Sequence, residues 1–444
     1  MNIQQLSLAN FRGFEQIDLT FEPDVNVIAG VNGAGKSGIL QALAVLFSRA
    51  LPEFTPSTTK PLSFTDEDIC HGKPALEASG VFRVAEQQCH INGQRVRGAE
   101  EGGERWNSFW QARQTTAKPA TFAELLAART LTGNLEASKI ETERMLRALQ
   151  AAPNQPQVIY FSTKRQLAGR PRTLPRLQPF ALANAYPFAL ADREVELRTF
   201  MHWFRVVEDR EAKARSRGSL FGPDASVLDH LRSVITAFVP EFTNLRVEEE
   251  PNLHFVVEKA GIPLDLHQLS DGERGLLAML FDMTRRLAIA NPQLENPIAQ
   301  GKAIILIDEI ELHLHPQWQR QVLRRFRETF LNCQFIVTTH SPQVIGEVES
   351  RSMRLLLRED NKVISWTPSR SFGLDSSRVL EELMDVKARN AEVEVALNEL
   401  FQRIDAEEFD VARKLIKRLA MKLSEDDPEL TRARTLIAFL EDAE

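Results

Sequence analysis

Cysteine is scarce: Cys70, Cys89 and Cys333 are the only three in 444 residues, and their spacing is not paired. They offer neither a disulfide framework nor a zinc site and fit a reducing compartment. Long apolar runs are also missing. No window approaches the roughly eighteen consecutive apolar residues of a membrane-spanning helix. The opening Met1-Asn2-Ile3-Gln4-Gln5 lacks the basic and apolar stretches of a secretory leader, so the expected location is cytoplasmic. Most of the chain has no charge excess. Residues 371–444 hold 18 acids against 11 bases, so the net charge of −7 lies there and residues 1–370 balance. A neutral body with an acidic tail is not coated for non-specific DNA binding; any such contact needs a local basic patch.

What is present is a globular profile, 43% hydrophobic and 26% charged, in a chain long enough for two or three packed units. Ile3, Leu6 and Leu8 alternate, as do Ile17, Leu19 and Phe21, which predicts two short antiparallel strands around Gly13. Val25 to Ala29 is a short apolar strand ending at Gly30, and Ser37 to Phe47 has helical spacing. Leu76 to Ile91 reads as a hairpin, Phe122 to Leu149 as helix, and Val158 to Phe161 as a buried strand. Glu194 to Arg217 is a charged helix with Phe200, Trp203 and Phe204 on one side. The runs Ala303–Ile307 and Gln334–Val337 are nearly all apolar, as strands covered on both faces of a parallel sheet require. Three amphipathic helical stripes close the chain, beginning at Val393, Ala412 and Ala433.

The chemistry is concentrated in a few segments. Gly30-Val31-Asn32-Gly33-Ala34-Gly35-Lys36-Ser37 satisfies the P-loop pattern G-x-x-x-x-G-K-[ST] between a strand and a helix. Its glycines let backbone N–H groups turn toward phosphate oxygens, and the helix N-terminus adds positive potential. Lys36 is expected to reach the β- and γ-phosphates, with the Ser37 hydroxyl on Mg²⁺. Ala303 to Ile307 ends in Asp308-Glu309, which places Asp308 to hold Mg²⁺ and Glu309 to polarise the attacking water. Leu269-Ser270-Asp271-Gly272-Glu273 opens another helix, for which Ser270 or Asp271 would equally serve as a cap. His340 follows Val337-Thr338-Thr339 at a strand end. Lys164, Arg165, Arg170, Arg172 and Arg176 form a loop without an intervening acid, either a phosphate contact or a solvated loop with Arg165 on a core carboxylate.

In this order and spacing the segments resemble the ABC-type ATPases of the recombination and chromosome-maintenance group, which includes RecF, the SMC proteins and the ATPase half of OLD nucleases. Leu269 to Glu273 is similar to the ABC signature loop, His340 to the switch histidine, and Asn10-Phe11-Arg12-Gly13-Phe14 to the group's N-terminal stretch. The resemblance implies an α/β P-loop fold in which paired subunits enclose ATP and Mg²⁺ head to tail. It also implies nucleotide contacts from Arg12, from Gly30 and Asn32 to Ser37, and across the pair from Ser270, Gly272 and Glu273. Leu314-His315-Pro316 stands where transporters carry a D-loop aspartate, and is shared with RecF- and OLD-like members. No Q-loop glutamine is assigned; Asp68 stands in that region. The 232 residues between Ser37 and Ser270 contain no sustained heptads, which excludes a long SMC-type coiled coil.

A looser resemblance, through Tyr160 to Arg165, the Trp203-Phe204 helix and Phe372 to Asp375, is to compact PtuA-type defence ATPases of Septu and retron systems. It implies a regulatory ATPase in the cytoplasm, dimeric or larger, that controls a separate HNH-type nuclease. The alternative reading is a stand-alone RecF-like repair clamp, and a third is a nucleotide-binding scaffold. The expected layout is a discontinuous ATPase head at 1–95 and 238–370. A mostly helical insertion at 96–237 contributes one core strand near 158–161, and 371–444 forms a partner-docking helical segment.

Overall fold

The computed structural model describes residues 1–444 apart from 101, 113–134, 169–179, 217–224, 251, 360–361, 388 and 442–444. Two compact units result, Met1–Leu374 and Asp375–Glu444. In the first, β1 (Asn2–Phe11) and β2 (Phe14–Thr20) precede β3 (Val25–Gly30), which leads through the glycine loop into α1 (Lys36–Phe54). Next come β4 (Ala75–Val84), β5 (Gln87–Val96), β6 (Arg105–Ala112) and α2 (Leu135–Gln150). β7 (Gln157–Phe161) and the short β8 (Leu167–Ala168) and β9 (Val195–Glu196) lead to α3 (Leu197–Ser216) and α4 (Ala225–Phe238). β10 (Phe242–Glu248), β11 (His254–Lys259) and β12 (Ile262–Asp265) then lead to α5 (Asp271–Ala290). The unit continues with β13 (Ala303–Ile307), α6 (Pro316–Thr329), β14 (Cys333–Thr339), β15 (Met353–Glu359) and β16 (Lys362–Trp366).

The central sheet runs β16-β15-β3-β14-β13-β7, five parallel strands with β16 antiparallel at one edge. β3, β7, β13 and β14 are buried along their whole length, which accounts for their lack of polar alternation. β14 lies between β3 and β13, in register Val27↔Val337 and Ile307↔Val337. The P-loop, Asp308 and the residues before His340 therefore emerge side by side at one end of the sheet, where open α/β sheets bind ligands. The second sheet is antiparallel, β2-β1-β4-β5-β6, and α1 touches strands of both sheets. Burial nearly all round explains why Ile39 to Leu46 carries no polar face. β6 pairs with β5 from Gln87↔Ala112 to Gln94↔Arg105, so this sheet runs past residue 95 into the segment read as insertion. α3 packs on α5 through Phe200 and Phe281, stacked with ring centroids 4.2 Å apart.

In the second unit, α7 (Ala391–Asp405), α8 (Phe409–Ala420) and α9 (Pro428–Glu441) enclose their own core. Leu397, Leu400, Ile404, Ala412, Ile416, Leu419, Leu430, Ala433 and Ile437 meet there, so the three apolar stripes cover one another. Arg389 pairs with Asp427 at 3.1 Å, just ahead of α9. Val395, Met421 and Phe439 remain exposed. Among the described residues no helix is long and apolar enough to cross a membrane.

Candidate active site

The loop between β3 and α1 is shaped by what surrounds its glycines. Gly35 has φ +89°, and a Cβ there would come within 2.6 Å of the Phe14 ring, so glycine is required on both counts. Phe14 thus links the N-terminal Asn10–Phe14 stretch to the P-loop. Asn32 and Gly33 are exposed at the loop's tip, while Ala34 and Lys36 are buried. The Lys36 ammonium donates to the carbonyls of Gly30 and Val31 at 2.8 and 3.0 Å. Burial pushes its pKa down from the ordinary lysine value, against the pull of Glu309, Glu311 and Asp308.

Asp308 is fixed from several directions. Ser37 Oγ donates to its Oδ1 at 2.9 Å, and Thr338 Oγ1 donates to the same oxygen at 2.6 Å. The Thr338 hydroxyl also accepts from Glu309 N–H at 2.7 Å. One threonine on β14 therefore ties both carboxylate-bearing residues of the β13 end. Glu309 has φ +47°, a left-handed conformation that a non-glycine residue adopts only when its surroundings impose it. Part of that imposition is Arg165, whose guanidinium donates to the main-chain carbonyls of Asp308 and Glu309, the latter at 2.5 Å. It also reaches the Ser162 carbonyl at 3.2 Å. Burial brings Arg165 down to about 10 against the pull of Asp308, Glu311 and Glu309, so it is still a cation at neutral pH.

His340 is half exposed and leans on a buried carboxylate. Its Nδ1 lies 3.0 Å from Glu311 Oε1, and its backbone N–H donates to the same oxygen at 2.7 Å. Arg12 pairs with Asp68, at 2.8 Å from Nη2 and 2.9 Å from Nε, and its N–H donates to the Asp68 carbonyl at 2.7 Å. A Cβ on Gly38 would lie 3.3 Å from Arg12 Nη1, which puts the guanidinium beside the first turn of α1.

Ser270 caps α5. Its hydroxyl accepts from Glu273 N–H at 3.4 Å, while Glu273 Oε2 accepts from Ser270 N–H at 2.9 Å and from its hydroxyl at 2.8 Å. Lys259 holds the other carboxylate oxygen at 2.6 Å. Burial pushes the Glu273 pKa up, but the Lys259 and Ser270 hydrogen bonds outweigh it and hold the carboxyl below its ordinary value. Gly272 is buried, and a Cβ would collide with the His313 carbonyl. The signature-like loop and the segment after Glu309 are thus packed together. His315 caps α6, its Nδ1 accepting from Gln317 N–H at 3.3 Å.

Lys36, Ser37, Asp308 and Glu309 are therefore gathered at one sheet end with the residues around His340, and Arg12 lies beside α1 nearby. Thr338, Glu311 and Arg165 belong to the same cluster; motif reading gave Thr338 and Glu311 no place there, and placed Arg165 at the core only as one of two alternatives. The available signal was positional: Thr338 and Glu311 sit two residues before and two after residues already singled out. At two of its five positions the basic loop follows the second of its two readings in outline, with main-chain carbonyls in place of the expected core carboxylate. Arg165 is spent on main-chain carbonyls, and Lys164 pairs with Asp192 at 2.9 Å. Arg170, Arg172 and Arg176 lie outside the described residues.

Two family models for ATPase or AAA domains match the chain. A family model described as an AAA ATPase domain matches residues 1–97. A second, described as an AAA domain, putative AbiEii toxin, Type IV TA system, matches residues 140–346. The chain is similar to the ABC-type ATPases of the RecF, SMC and OLD group. The chain is 38% identical over 216 residues to the retron Ec83 probable ATPase of Escherichia coli, covering 48% of this chain and 39% of that protein. It is 33% identical over 97 residues to the Septu protein PtuA of Bacillus mycoides, covering 22% and 13%. These matches span well under two thirds of either relative. An SMC head bound to the C-winged helix domain of ScpA aligns at 16% identity with a TM-score of 0.46, covering 83% of this chain and 98% of that one.

Proposed function

We propose that the chain binds and hydrolyses ATP at sites shared by two copies, and that this cycle controls a separate nuclease in anti-phage defence. The carrying observation is the Asp308 carboxylate held by the Ser37 and Thr338 hydroxyls, with Glu309 beside it and Lys36 on the adjoining loop. Backbone N–H groups of residues 33–37 and the start of α1 receive the phosphates. Lys36 exchanges its carbonyl partners for the β- and γ-phosphate oxygens. The Ser37 hydroxyl and one Asp308 carboxylate oxygen fit Mg²⁺, which takes few protein ligands and keeps water and phosphate oxygens around it. When bound, that ion neutralises phosphate charge. Glu309 accepts the proton of the attacking water, and His340, oriented by Glu311, contacts the γ-phosphate. Arg12 approaches the nucleotide from the side of α1.

Ser270 and Gly272 then serve the site of the second copy. Their backbone is already ordered by the capping box and the His313 contact, so the loop meets the phosphates preorganised. The defence role is supported by the similarity to the retron and Septu relatives. The acidic second unit supports a basic partner, and an HNH-type nuclease that holds DNA has such a surface. Phosphate release by the purified chain tests the enzymatic part: Lys36→Ala should abolish it, and so should removal of Mg²⁺. Co-expression with an HNH nuclease and a plasmid-cutting assay with and without ATP tests the regulatory part. Cutting that ignores both ATP and this chain would contradict it.

A further inference from the structure

A cavity of about 200 Å³ lies among α3, α5, β7 and the segment before β9, and nothing in the ATPase site uses it. Part of its lining is apolar, with Phe161, Val195, Trp203 and Ile289 all buried. The rest is dominated by three arginines around one buried carboxylate. Arg285 and Arg286 pair with Asp282 at 2.9 and 2.6 Å. Arg286 also donates to the carbonyls of Ala185 and Pro187 at 2.6 and 3.1 Å, so each of its nitrogens is engaged. Arg285 is held less closely: its Nη1 reaches the Asn184 carbonyl only at 3.4 Å, beyond the usual hydrogen-bond range. Arg193 stacks on Phe188, 3.7 Å from the ring centroid, and comes no nearer than 4.0 Å to Glu196. Glu194, Glu196, Thr199 and His202 complete the polar lining, and both glutamates are exposed.

The buried part of this cluster has two guanidiniums for one carboxylate, and Arg193 adds a third at its edge. Burial, with repulsion from Arg285 and Arg193, pushes Arg286 down to about 10 even though Asp282 pulls the other way. An excess buried positive charge is costly unless something compensates it. The chemical complement is an anion that accepts from Arg285 and Arg193.

We propose that this cavity binds a small organic anion, a carboxylate or phosphate headgroup on a compact apolar body. The headgroup meets Arg193 and Arg285, and the body lies against Trp203 and Ile289. A ligand of about ten non-hydrogen atoms fits such a volume and binds at millimolar concentration or tighter. Asp282, Arg285, Arg286 and Ile289 all lie on α5, the helix that begins at the Ser270–Glu273 loop, so an occupant bears on that helix directly. The inference does not depend on the proposed hydrolysis.

Calorimetric titration of the full chain with phenyl phosphate and with benzoate, ADP being present to fill the P-loop, tests it. Saturable binding of at least one probe is expected, and which one binds distinguishes the headgroups. Arg193→Ala, at a half-exposed position, should weaken that binding about tenfold or more, the worth of a charge-assisted contact. Ala191→Trp should fill the cavity and abolish it. Absence of saturable binding by both probes would overturn the proposal. So would binding by both variants at wild-type strength, since the probe would then be sitting elsewhere.

Discussion

Glu309 and Glu311 both follow the β13 strand, yet their partners assign them different work. Glu309 has its main chain held by Thr338 and Arg165. Glu309→Gln should leave ATP binding nearly intact and cut hydrolysis by about 10²–10⁴, the usual contribution of a general base. Turnover at the wild-type rate would remove Glu309 from that role. Glu311 instead acts through the imidazole it holds at 3.0 Å. Glu311→Ala and His340→Ala should each slow hydrolysis, and the double variant should be no slower than the worse single one. Multiplying losses in single-turnover measurements would show the two residues acting independently. Lys36, Ser37 and Asp308 are legible in the sequence because their chemistry follows from neighbours in the chain. Thr338 and Glu311 are not, because their contacts arise from the register of β14 beside β13.

At the scale of elements, β7 matters because it delivers Arg165. The strand is readable as a buried apolar run, but its place next to β13, in register Phe161↔Ile307, is a long-range pairing that no local pattern specifies. Arg165 looks like part of a basic loop until that pairing carries it beneath Asp308 and Glu309. A lysine has no planar fork with which to hold two carbonyls. Arg165→Lys should therefore cost about 1–3 kcal/mol of stability through carbonyls left unsatisfied. Turnover should fall while nucleotide affinity changes little, which thermal unfolding and a binding titration together check. Unchanged stability and turnover would mean the strained Glu309 backbone is held by other contacts. β6 was missed for a different reason: Ser108 stands between Trp106 and Trp110 on one face and Phe109 lies on the other, so only the pairing with β5 identifies it. The strand–loop–helix of the P-loop was plain because every signal in it is local.

For the whole molecule, the separation into two compact units sets what can be removed. The Asp375–Glu444 unit has a core of its own, so its apolar stripes ask for no cover from elsewhere. Deleting residues 375–444 should leave a folded first unit that still binds ATP but no longer co-purifies with a nuclease partner. Aggregation or loss of ATP binding would show that the helices support the head instead. The central claim, that each ATP site draws on two copies, is tested most directly by mixing inactive variants. Lys36→Ala removes the P-loop cation of one site face, and Ser270→Arg blocks the opposite face. A mixed dimer of the two then holds one intact composite site and one doubly altered site. Each variant alone should be inactive, and an equal mixture should recover up to about a quarter of wild-type phosphate release, because half of randomly paired dimers are mixed and each has one good site. Wild-type hydrolysis by both variants alone, or a mixture as inactive as its components, would contradict the account.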